Sequence, residues 1–180
     1  MGLSTIIIVF ILGSFCLGGM YFLVAFQQVK TMVRYYRDCF FQVDVQFKKR
    51  NEILVSLLER TFEHEAELKK SILNTIKQIS KVEKKLLKRP EKMALNYKLN
   101  SLEKDLELKL KTLYKELDTN EDIQTKRALK SLKKFQHKLI GAQNNFNEAV
   151  SYYNKHVGRF PSNIIAKLFY ASNVAKLRTH

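Results

Sequence analysis

Four histidines and two cysteines are the side chains in this 180-residue sequence most suited to chemistry, and their spacing decides what they can do. His64-Glu65 begins like a zinc-peptidase pattern, where two histidines four apart on a helix hold the metal and the glutamate acts as base. The residue four after His64 is Leu68, so the second ligand is missing. A di-iron helical bundle needs a glutamate three residues ahead of a histidine. Thr61, Lys134 and Tyr153 stand three before His64, His137 and His156, so that pattern is missing too. Cys16 and Cys39 cannot form a zinc cluster between them. There is no glycine-rich phosphate loop and no nucleophile in a local signature. The residues predict no catalytic activity, no metal and no cofactor.

The first element is apolar. No charged side chain occurs from Gly2 to Val29, and Lys30 is the first. Leu3, Ile8, Phe10, Leu17, Phe22 and Phe26 mark a near-continuous apolar run. As a helix its 24 residues rise about 36 Å, and a bilayer core needs about 20 apolar residues. A cleaved leader would carry basic residues ahead of a shorter apolar core. An uncleaved membrane anchor is therefore expected. Lys30, Arg34, Arg37, Lys48, Lys49 and Arg50 follow it against Asp38 and Asp44. Basic flanks stay in the cytoplasm, which predicts N-terminus out and bulk in.

The rest reads as helix. After the anchor there are two prolines, and glycine occurs only at 141 and 158. Val33, Tyr36, Phe40, Val43 and Phe47 recur at spacings of three and four, and a stripe from Leu54 to Leu86 continues the pattern. It predicts one long helix ending at Pro90, with Glu65 as a polar register position on its seam. Leu95 to Leu117 and Ala128 to Val157 predict two more, the last ended by Gly158 as a left-handed cap. Thr119 and Asp122 predict a helix start. A short helix follows Phe160-Pro161, expected to close the membrane-distal end with Phe160 as its anchor. Short connections predict antiparallel neighbours. The expected fold is all-α: an anchor over 1–28, an antiparallel four-helix bundle over 29–171 and a frayed tail over 172–180.

The formal net charge is +15. Residues 69–92 hold nine basic side chains against Glu83 and Glu91. Lys77, Lys81, Lys84, Lys85, Lys88, Arg89 and Lys92 are the candidate patch for an anionic partner, expected at the distal tip.

Several stretches are specific. Asp44-Val45-Gln46-Phe47-Lys48-Lys49-Arg50-Asn51-Glu52-Ile53 resembles the D-V-Q-L-K-R-R-x-D-L-I stretch of the LemA family. His64-Glu65 lies where that family has H-E. Phe146-Asn147-Glu148-Ala149-Val150 with Tyr153-Asn154 resembles its Y-N-x-A-V-x-x-Y-N. Phe160, Pro161, Asn163, Ala166 and Phe169 match its F-P-x-N-x-x-A-x-x-F terminus. Val55 replaces the family's proline, and residues 69–113 diverge. The resemblance implies a membrane-anchored four-helix bundle of a bacterial inner membrane, in a family without a general activity.

The residues and the resemblance together predict a non-enzymatic membrane scaffold or adaptor that docks protein partners or copies of itself. Two alternatives stand beside it: a module binding anionic lipids or polymers through the basic patch, and an accessory subunit of a membrane protease. Nucleic acid is not an expected partner.

Overall fold

The structure is a computed structural model that describes residues 2–61, 67–117, 123–171 and 173–178. It is all-helical, with five helices and no strand among the described residues. Helix α1, Leu3–Thr61, runs 59 residues, about 88 Å, without a break. Its side chains from Ile6 to Val24 are all exposed. Burial begins at Ala25 and follows one seam: Val29, Val33, Tyr36, Phe40, Val43, Phe47, Arg50, Leu54 and Leu58. Spacings of three and four put these on one stripe, which is how the helix presents a face to its partners. α1 is therefore two things end to end, an apolar rod and a core helix, with no hinge residue between them.

The predicted single helix through Leu86 is two helices. α1 ends at Thr61 and α2 spans Glu67–Lys88. The seam positions at this break are Thr61 and Glu65, two polar residues in succession. Glu65, like Thr119 and Asp122, lies outside the described residues. α2 buries Ile72, Ile79, Val82 and Leu86, which need apolar surface opposite them. Folding back along α1 supplies it: Arg37 of α1 meets Glu91 just past α2 at 3.5 Å. α3, Met93–Leu117, packs on α2. Asn96 Nδ2 donates to the Pro90 carbonyl at 2.9 Å and tightens the connection.

α4, Ile123–Val157, packs most extensively on α1 and runs antiparallel to it. Arg60 Nη1 donates to Gln124 Oε1 at 3.0 Å at one end. Phe40 meets Phe146 with ring centroids 5.5 Å apart, and Tyr36 meets Tyr153 at 5.1 Å. The 35 residues of α4 equal the 35 of α1 beyond Phe26, so α4 returns to where the apolar rod ends. α2 and α3 stop short, at the level of Arg37.

α4 ends at Val157, but not through a left-handed glycine, since no glycine has positive φ among the described residues. Arg159 N–H donates to His156 O at 3.1 Å and Asn163 N–H to Arg159 O at 2.9 Å, making consecutive tight turns. α5, Ser162–Phe169, then packs on α1 and α4. Its place corrects the expectation. Phe26 contacts Phe169 at 5.4 Å and Tyr170 at 6.2 Å, so α5 sits beside the end of the apolar rod, not at the opposite end. The stretch of α1 and α4 that α2 and α3 do not reach lies at that end. Phe160 does not anchor α5 to the body; it is 71% exposed. Of the tail expected to fray, the described residues 173–178 lie extended across α3 and α4.

Candidate functional site

Two polar constellations and the turn into α5 hold the described family-motif residues. The first sits midway along α1. Arg50 occupies a seam position where its neighbours are Phe47 and Leu54, and only 1% of it is exposed. Its Nη1 and Nη2 donate to the two carboxylate oxygens of Glu103 at 2.6 and 2.8 Å, a paired geometry that suits a planar guanidinium. Nε and Nη2 also donate to Asn51 Oδ1 at 3.3 and 3.1 Å. The guanidinium carbon lies 5.0 Å from the centre of the Phe47 ring. Removing either partner of such a buried pair costs about 3–5 kcal/mol, because the other charge is left in the core. Sliding α3 by one turn along α1 would do the same, so this pair fixes their register.

Glu83 of α2 and Asp44 of α1 complete the constellation. Both are buried, at 2% and 1% exposure. Burial, then the nearby Glu103 carboxylate, pushes Glu83 up to about 8, with Arg50 opposing. Its Oε1 has no hydrogen-bond partner. Asp44 accepts from Lys48 Nζ at 2.6 Å, which raises the Lys48 ammonium above its ordinary value. Gln46 keeps a buried carbonyl oxygen without a partner, and Lys49 is exposed. Three carboxylates and one guanidinium in a core form a structural and proton-holding arrangement. No group of three potential metal ligands occurs among the described residues.

The second constellation is a ladder of asparagines. Asn147 Nδ2 donates to Leu177 O at 2.7 Å, and Leu177 N–H donates to Asn147 Oδ1 at 2.7 Å. Asn154 makes the same pair with Val174, at 2.8 and 2.9 Å. Each amide thus treats the tail as a neighbouring strand would. Seven residues of α4 rise about 10.5 Å, and three residues of extended chain span about 10 Å, so the two spacings coincide. From α3, Asn100 Oδ1 accepts from Arg178 N–H at 2.8 Å, and Asn96 and Asn100 donate to Ala175 O and Lys176 O at 3.4 and 3.3 Å. Val174 and Leu177 are buried between these contacts while Lys176 points out. The Tyr153 hydroxyl donates to Ala171 O where the tail begins, and burial raises its phenol above the ordinary value.

The third group of motif residues builds the turn into α5. Pro161 and Ala166 are buried, and Asn163 Oδ1 accepts from Ile164 N–H at 2.8 Å. The seven basic side chains from Lys77 to Lys92 are all exposed. They do not form a distal tip. α2 runs back along α1, so Lys88, Arg89 and Lys92 stand nearest the apolar rod.

Of the sequence candidates, Asp44, Lys48 and Arg50 come together, and so do Asn147, Tyr153 and Asn154. Glu83, Glu103, Asn96 and Asn100 were not among them. A signal existed for each: two acids at otherwise apolar seam positions, and asparagines four apart on α3.

These features define an all-helical protein built on one N-terminal helix, which is long and apolar enough to cross a membrane. A family model described as the LemA family matches residues 39–179, and the chain belongs to that family. No curated protein and no solved structure matches it.

Proposed function

We propose that this protein is a non-enzymatic, membrane-anchored scaffold whose helical body docks protein partners or further copies of itself. In this reading α1 to α4 form one antiparallel four-helix bundle on the cytoplasmic side of a bacterial inner membrane, with the N-terminus outside. The observation that carries it is α1, whose exposed apolar rod and buried seam are one helix. Whatever the body holds is thereby held at a fixed height and orientation above the bilayer. Exposed Tyr97 and Leu108 on α3 offer apolar contact away from the anchor. The test is a photoreactive side chain at each position in native membranes. Discrete crosslinked protein species, self or foreign, are expected; crosslinks confined to lipid or water would contradict docking.

A second reading, binding of anionic lipid, is favoured by the placement of the basic run. Glu91 meets Arg37, 11 residues or about 16 Å past Phe26. Headgroups occupy roughly 6 Å of that and the Debye length is about 8 Å, so lysine side chains there sense a charged surface. Such binding falls steeply with added salt, whereas apolar docking does not.

A further inference from the structure

α5 is apolar beyond the face that it buries. Ile165 and Ala166 are fully buried against the body. On the adjoining strip of the helix Ile164 and Leu168 are exposed, the latter by 68%, and Phe160, just ahead of the helix, is exposed too. Asn163 and exposed Lys167 hold only one edge of this helix, and eight residues do not hold a helix alone in water. The body covers one side. The exposed apolar strip beside it is matched by an apolar phase with a basic-tolerant edge.

Its position says which. The rings of Phe169 and Tyr170 lie against Phe26, the last residue of the apolar run. That run rises about 36 Å, against about 30 Å for a hydrocarbon core, so its end stands in the headgroup layer. Charge points the same way. From Ala149 to His180 there is no acidic residue, while Lys155, Arg159 and Lys167 are exposed near α5 and Lys30 and Arg34 on α1. Basic side chains around an apolar face match the surface of an anionic leaflet.

We propose that α5 is an interfacial helix: its outer face, Phe160, Ile164 and Leu168, lies in the headgroup layer of the bilayer that α1 crosses. The inference rests on the membrane-anchor reading above. α1 and α5 then give two contacts with one surface, which fixes the tilt and rotation of the body as a single span cannot. Bound lipid also explains why the apolar strip beside the buried face is tolerated.

The chain has no tryptophan, so single introduced tryptophans report without background. The full chain is placed in vesicles of phosphatidylcholine and phosphatidylglycerol carrying bromine on the acyl chains. F160W and L168W are expected to emit at blue-shifted wavelengths and to be quenched most by bromine near the headgroups. F22W, within the span, should be quenched by deeper bromine, and Y97W on α3 should not be quenched. Quenching of F22W with L168W and F160W unquenched overturns the proposal and leaves the anchor standing. Absence of quenching at F22W overturns both. Blue-shifted but unquenched L168W means protein covers this face, and also overturns it.

Discussion

Glu83 is the residue at which chemistry and stability meet. Asp44, Lys48, Arg50 and Glu103 all face it, and burial outweighs the attraction of Arg50. Its carboxyl is raised from an ordinary 4.5 to about 8 in the folded protein. Between those values the folded state holds a proton that the unfolded state has released. The contribution of Glu83 to stability is therefore fullest below about pH 4.5, falls as pH rises, and levels off above about pH 8. Glu83→Gln keeps the neutral shape and removes the titration. Denaturant unfolding at about pH 5 and pH 9 should show the native chain losing roughly a few kcal/mol across the interval and the variant losing much less. Equal slopes would mean that Glu83 is ionised in the fold. Legibility at this scale was partial. In the sequence Arg50 is a motif residue, and its seam position between Phe47 and Leu54 also announces burial, where a guanidinium demands a carboxylate. Which carboxylate depends on how α2 and α3 return, and local spacing does not contain that.

At the scale of elements, the tail is held by side chains rather than by a helix of its own. The stretch after Tyr170 has no helical periodicity, which is why sequence reading leaves it frayed. The asparagines that capture it are 20 and 30 residues away. Replacing Asn147 and Asn154 together by alanine removes four hydrogen bonds at about 1 kcal/mol each and leaves tail amides unsatisfied. Hydrogen exchange at Val174 and Leu177 should rise to that of free chain in the double variant, while the helices stay protected. Unchanged exchange there would show that Val174 and Leu177 side chains hold the tail alone. The apolar seams of α1, α3 and α4 were legible because their spacing is regular. The break between the end of α1 at Thr61 and the start of α2 at Glu67 was not, since the sequence there contains neither proline nor glycine. Missing it reversed α2, and with it the expected places of the basic run and of α5. Continuity of α1 has its own check. Spin labels at Leu17 and Glu52, both exposed, are 35 residues apart, about 52 Å on a straight helix. A narrow distance distribution near that value is expected in lipid nanodiscs; a broad or much shorter one would place a hinge near Phe26.

For the whole molecule, the equal lengths of α4 and of α1 beyond Phe26 bring one end of the body level with the end of the apolar rod. α5 and the basic side chains around it gather there, while the other end stands about 50 Å away. On this account the molecule is an oriented rod with a membrane end and a free end, and docking belongs to the flank between them. Everything in that account requires α1 to cross the bilayer with the body inside. Single cysteines answer this directly, in a chain lacking Cys16 and Cys39, treated in intact cells with a membrane-impermeant thiol reagent. Cysteine at Gly2 should be labelled from outside, and cysteine at exposed Ser101 on α3 only after the cells are opened. Labelling of Ser101→Cys in intact cells would contradict the account.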